Sequence, residues 1–303
     1  MLRTGIATVG KLVTLTLLIA PGLALAATEV VGTLVSPVSL STGGWSFGSQ
    51  AGGTVAISTN TALNYGGDSG SVVGNYPAAT GNVYAWGDFS VASLNTEDIY
   101  IDFWAKMPAA KQGMKFLKIF GGTQGSGYAN TTFALDYTGY DFGAMYQVSF
   151  GDGSSTGNDT ANVINFDGSS PSLIGRSYGK ASVSTPQGAR FASTMWGTTW
   201  HHFQMHVKFN SGTSAANETN DGAYYVAIDG KVYVNASGLF NRNPANAPID
   251  HIELFGWSQN GSTPFQVWYD QVHITTGGFA TSTSTSGTTT TASPLPPSNV
   301  SVD

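Results

Sequence analysis

The chain has 303 residues, 41% of them hydrophobic, 12% aromatic and only 10% charged, with 39 glycines, no cysteine and a formal net charge of -6. So many aromatics exclude a disordered chain, the missing cysteine excludes a disulfide scaffold or a thiolate metal site, and the acidic balance argues against a nucleic-acid binder. Low charge with abundant Gly, Ser, Thr, Asn and aromatic residues points to an all-β secreted protein.

In chain order, the first segment reads as an address. Arg3 and Lys11 bracket a positive stretch, Leu12 to Ala20 is apolar, Pro21 and Gly22 break it, and Ala24-Leu25-Ala26 precedes Ala27. This is the pattern of a secretory signal cut after Ala26, and the apolar run falls short of the ~20 residues that span a bilayer. Residues 1–26 are therefore expected to be a signal peptide, and the product a secreted chain with no membrane segment after cleavage. Residues 27–280 are expected to form one compact domain. From Thr281 a Ser/Thr tract runs into Pro294, Pro296 and Pro297. Residues 281–303 thus have the composition of a linker or tail.

The body alternates with the period of strands. In Asp98 to Lys106, Ile99, Ile101, Phe103 and Ala105 form an apolar face, and Asp98, Tyr100, Asp102, Trp104 and Lys106 a polar one. Strands are also expected at Met114 to Phe120, Thr132 to Tyr137 and Gly143 to Phe150. In Trp200 to Phe209, His201, Phe203, Met205, Val207 and Phe209 share one face, and Trp200, His202, Gln204, His206 and Lys208 the other. Tyr224 to Ile228 and Lys231 to Val234 flank Asp229-Gly230, a two-residue hairpin signal because both turn positions need positive φ. Ile249 to Phe255 and Phe265 to Ile274 complete the set. About a dozen short strands with Gly-rich turns imply an antiparallel sandwich or jelly roll.

The face of Trp200, His202, Gln204, His206 and Lys208 offers a stacking platform, donors and two imidazoles. It reads as a ligand-facing surface with His206 as its catalytic candidate, and a plain hydrated face is the alternative. The 98–106 strand, with Tyr100 and Trp104 on its wet face, is placed to lie beside it. Lys118 points away from Leu117 and Ile119, either as a snorkelling lysine or as a site cation. Tyr137, Tyr140 and Tyr146 are packing residues unless a site claims them. Glu29, Glu97, Glu218 and Glu253 never form the E-x-D-x-x-E pairing of retaining glycosidases, and G-x-S-x-G and H-E-x-x-H are absent. His202 and His206 stand about 13 Å apart along a strand, too far to share a metal. No metal is assigned, though Asp152, Asn158 and Asp159 could form a structural calcium loop.

Taken together, the motifs resemble a known family. They are Trp200-His201-His202-Phe203, Asp221-Gly222, Tyr225 to Lys231, Ile249-Asp250-His251-Ile252, Phe255-Gly256 and Trp268 to Val272. The stretch from about 95 to 278 is similar to the concanavalin A-like lectin/glucanase jelly roll. Within that fold it looks most like the polysaccharide lyase branch, the heparin lyase I-like, alginate lyase and glucuronan lyase relatives. The W-H-H and D-G-K elements are shared with laminin G-like binding domains. The resemblance implies β-elimination on a uronate polysaccharide. A monomer that requires no cofactor is expected. The resemblance also implies catalytic roles for Lys118 as the strand lysine, His206 and Gln204 as base and neutraliser, and Tyr146 as acid. Trp200, His202, Lys208, Trp104, Tyr100 and Tyr137 would bind substrate. A non-catalytic glycan-binding module is the second reading, and an Asp-dependent glucanase-type hydrolase the third.

Overall fold

The structure, a computed structural model, describes residues 28–29, 44–67, 70–107, 114–121, 131–137, 142–147, 162–165, 182–184, 197, 199–211, 219, 221–239, 248–258 and 263–279. The expected signal peptide, the 281–303 tail and the Asp152, Asn158 and Asp159 loop lie outside the described residues. Among those residues no helix is long and apolar enough to cross a membrane.

The strands are β1 (Thr28–Glu29), β2 (Trp45–Gln50), β3 (Thr54–Ser58), β4 (Ser71–Tyr76), β5 (Val83–Ser90), β6 (Asp98–Lys106), β7 (Met114–Gly121) and β8 (Thr131–Tyr137). They continue with β9 (Phe142–Gln147), β10 (Asn162–Asn165), β11 (Ser182–Ser184), β12 (His201–Lys208), β13 (Gly222–Ile228), β14 (Lys231–Leu239), β15 (Ile249–Ser258) and β16 (Phe265–Thr276). A wide sheet of nine strands runs β11-β14-β13-β12-β6-β16-β4-β3, with β1 also paired to β16. A narrow sheet of seven runs β10-β9-β8-β7-β15-β5-β2. Every pairing is antiparallel, and the chain passes repeatedly from one sheet to the other, which is the weave of a jelly roll.

Alternation explains why the sheets stack. Ile99, Ile101, Phe103 and Ala105 on β6 and Phe203, Met205 and Val207 on β12 are all buried. They face Leu117 and Ile119 on β7 and Ile252 and Leu254 on β15 across one continuous core. Phe103 and Phe203, opposite each other in register, stack at 5.0 Å. Phe116 of the narrow sheet packs 5.4 Å from Phe203. Burying each such ring contributes about 1.5–3 kcal/mol. Two buried phenols also cross the sandwich. Tyr76 of β4 donates to the Gly256 carbonyl at 2.9 Å, and Tyr269 of β16 donates to that of Phe116. Burial pushes both phenols well above their usual range.

The expected strands are present, and β6 does lie beside β12. The hairpin turn has Asp229 at φ 53 and Gly230 at φ 74, the geometry that Asp-Gly was expected to supply. Several ends differ, and residues 148–150 lie outside the described residues. β13 begins at Gly222, β14 continues to Leu239, β16 continues to Thr276, and β15 runs past Phe255 to Ser258. The last difference arises from a bulge. Phe255 at φ 71 and Gly256 at φ 99 absorb a register shift against β7, so the strand bends there and goes on.

Candidate functional site

Because the core lies between the sheets, the two polar faces look out on opposite sides of the sandwich. On the wide sheet, β12 and β6 pair His202 with Trp104, Gln204 with Asp102, His206 with Tyr100 and Lys208 with Asp98. Asp102 takes both His202 Nε2 at 2.8 Å and the Gln204 amide at 3.1 Å. His206 Nε2 lies 2.7 Å from Asp98 Oδ1, and its ring is stacked on Tyr100 at 4.1 Å. Burial, with the Asp98 charge adding to it, pushes the Tyr100 phenol up to about 12. Lys208 donates to Asp221 at 3.1 Å.

This face is also overlaid. Tyr65, in a 3-10 turn between β3 and β4, stacks on Trp104 at 4.1 Å. The Lys106 ammonium sits 4.7 Å over Trp200 and 4.5 Å over Trp268, and donates to the Leu63 carbonyl. Burial lowers the Lys106 pKa. Phe279 sets its edge against Tyr100 at 5.1 Å. The His206 side chain is 12% exposed, and His202 and Lys208 are more so at 27% and 34%. The row offers little free hydrogen-bonding capacity to a ligand.

The outward face of the narrow sheet is built differently. Glu253 of β15 stands in register between Lys118 of β7 and Asp88 of β5. Lys118 and Glu253 form an ion pair, with Lys118 the more exposed at 14% against 8%. The lysine also lies 5.4 Å over the Phe120 ring. His251, two residues before Glu253 and so on the same face, opposes Phe120. Its Nδ1 is 3.2 Å from Asp250 Oδ2, and its buried Nε2 makes no hydrogen bond. A carboxylate at Nδ1 favours the tautomer whose lone pair is on Nε2. The β15 bulge supports this group. A Cβ on Gly256 would come 2.6 Å from the Lys115 carbonyl and 3.2 Å from Lys118 Cε, so only glycine lets the bend press against the lysine.

The sequence-predicted residues therefore divide. His206, Gln204, His202, Lys208, Trp104 and Tyr100 belong to the wide sheet, and Trp200 immediately precedes its β12. Lys118, Tyr137 and Tyr146 belong to the narrow sheet. The expectation of one site combining Lys118 with His206 and Gln204 is thus corrected: a hydrophobic core separates them. The side chains of Tyr137 and Tyr146 lie outside the described residues. In backbone register Tyr146 pairs with Phe133, whereas the Lys118 row continues through Ala134 and Met145. His251, Asp88 and Trp86 were missed, and Glu253 was weighed only against a glycosidase pattern. The signal was present as alternation in Ile249-Asp250-His251-Ile252-Glu253-Leu254 and in Val83 to Ser90. Among the described residues, no three His, Asp or Glu side chains gather to hold a metal.

Two antiparallel sheets woven in this order form a jelly-roll sandwich, so the fold class read from the sequence holds. Among solved structures, the chain is similar to an endo-β-1,4-glucuronan lyase from the fungus Trichoderma reesei, with a TM-score of 0.52 and 14% identity over 78% of this chain and 92% of that one. It is similar also to an alginate lyase from a Chlorella virus, with a TM-score of 0.51 and 14% identity over 82% of this chain and 99% of that one. No protein-family model and no curated protein matches the sequence.

Proposed function

We propose that this chain is a secreted polysaccharide lyase that cleaves a uronate-containing glycan by β-elimination, on the outward face of the narrow sheet. The observation that carries the reading is Lys118, held by Glu253 and by the bent backbone of β15, with its side chain the more exposed of the pair. The jelly roll shared with glucuronan and alginate lyases supports it.

The chemistry needs no cofactor. Lys118 neutralises the uronate carboxylate, which acidifies the C5 proton. A base then removes that proton. The C5–H electron pair becomes the C4=C5 double bond, the C4–O4 bond breaks, and O4 takes up a proton. Stabilising the enolate-like intermediate is the main electrostatic task, and a fixed cation in a partly dry site suits it.

The test is the ultraviolet absorbance of the new double bond, followed on alginate and polyglucuronate. Wild type is expected to generate it and Lys118→Ala to lose it. A flat trace on every uronate polymer, with saturable binding retained, would instead establish the second reading, a glycan-binding module. The cross-paired aromatic layer of the wide sheet is the feature that favours that alternative.

A further inference from the structure

We propose that Trp86 is a sugar-stacking subsite that holds a pyranose ring of the same polymer to one side of Lys118. The inference rests on the reading above for its substrate class, and its geometry is independent of it. β5 alternates buried and partly exposed residues, so Trp86 and Asp88 share the outward face. Across the edge pairing, Trp86 stands opposite Gly48 of β2. A Cβ on Gly48 would lie 2.3 Å from Trp86 Cζ2, 2.6 Å from Cε2 and 2.9 Å from Nε1. The indole therefore spreads across the neighbouring strand, in the space that any other side chain at 48 would fill.

The same pairing has an inward counterpart. Phe47 fills the space over Gly87, where a Cβ would meet its ring at 2.5 Å, and packs against the hydrophobic core. Inside, an aromatic over glycine is packing. Outside, the ring stays partly exposed, and its π face is left to meet a ligand. The C–H face of a pyranose is the matching surface, with the indole N–H available to a hydroxyl.

The spacing suits a polymer. Asp88, Glu253 and Lys118 lie in register across three adjacent strands, and Trp86 is two residues along from Asp88. Strand spacing and rise put Trp86 roughly 12 Å from Lys118 between Cα positions, on the order of two pyranose units. A chain whose carboxylate meets Lys118 thus passes over Trp86. Aromatic walls beside a few placed polar groups are the usual lining of a small-molecule site.

The experiment compares wild type with Trp86→Ala, Trp86→Tyr and Gly48→Ala. Gly48 is not at positive φ, so alanine costs its backbone little, and the new methyl moves the indole without removing it. On long alginate or polyglucuronate, Trp86→Ala and Gly48→Ala are expected to raise KM about tenfold while kcat falls far less, and Trp86→Tyr to restore most of the loss. On dimers, too short to reach, KM is expected to stay within about twofold. Equal effects on long and short substrates, or a change in melting temperature alone, would overturn the subsite. If wild type eliminates nothing, retardation of the protein in gels containing the same polymers decides separately. Retardation lost in Trp86→Ala and Gly48→Ala upholds the subsite while the lyase reading fails, and an unretarded wild type overturns both.

Discussion

The two outward faces carry similar residues and use them differently. On the wide sheet, His202 and Gln204 share Asp102, His206 has Asp98, and Lys208 has Asp221. Tyr65 and Phe279 then lie over the rings beneath. On the narrow sheet a Lys–Glu pair sits against a bend in the backbone, beside an imidazole nitrogen with no hydrogen bond. The first arrangement meets its own demand across neighbouring strands, and the second leaves one buried imidazole nitrogen without a hydrogen bond. Polar and aromatic residues at strand spacing are therefore a weak sign of a site. What separates the faces is whether neighbouring strands already meet the demand.

The comparison can be broken most directly at Lys118. Lys118→Ala is expected to lower kcat/KM by about 100-fold or more, whereas His206→Ala changes it by less than about threefold. Removing the lysine leaves Glu253 buried and unpaired, so Lys118→Met with Glu253→Gln serves as the better-folded control and should be equally inactive. The reverse ranking would move the site to the wide sheet.

A pair of glycines sharpens the contrast in stability. Gly256→Ala places a methyl 2.6 Å from a backbone oxygen at φ 99, and is expected to cost about 2–3 kcal/mol by denaturant titration. Gly230→Ala, in the wide-sheet hairpin at φ 74, meets nothing within 4 Å and should cost only about 1 kcal/mol. Equal losses would mean that the bulge holds no special strain. Next in size, Asp102→Ala strips an acceptor from His202 and Gln204. It should cost about 1–2 kcal/mol while elimination persists, and lost elimination would count against a structural role for that face.

The smallest effect is acid-dependent. Burial works against the Asp221 carboxylate, but hydrogen bonds from Thr219, Ser211 and Lys208 hold it at about 2, below the ordinary 3.8. A depressed carboxyl stabilises the fold above its unfolded value and loses that contribution as pH falls through the folded one. Wild type should therefore lose stability between about pH 4 and pH 2 that Asp221→Asn does not. With the side chain 39% exposed, solvent screening limits the difference to about 1 kcal/mol or less. Chemical denaturation at each pH reads it.

Much of the fold was legible because β6 and β12 alternate without interruption and Asp229-Gly230 dictates its own turn. The direction of Lys118, opposite to Leu117 and Ile119, was legible for the same reason. Sheet membership was not. Alternation says that a strand has two faces, and is silent on which neighbour it takes. β6 beside β12 was anticipated, but nothing in Lys118 reveals that β7 pairs with β15 in the opposite sheet. Asp98 and Asp102 looked like solvated charges until register set them beside His206, His202 and Gln204. Gly256 held the missed clue, since an isolated glycine within a strand pattern marks a bulge. A strand ended at Phe255 hides the bend that presses on Lys118.

The phenols of Tyr76 and Tyr269 give the sandwich something that its hydrocarbon interior lacks. Apolar contacts are indifferent to small sliding, whereas these hydroxyls fix adjacent strands of one layer to single carbonyls of adjacent strands in the other. One of those carbonyls belongs to Gly256, so the bent strand under Lys118 is pinned from behind. Burial raises both phenols well above their usual range, which favours the protonated form that makes the pins. Sliding the layers there would break both hydrogen bonds and leave buried polar groups unpaired.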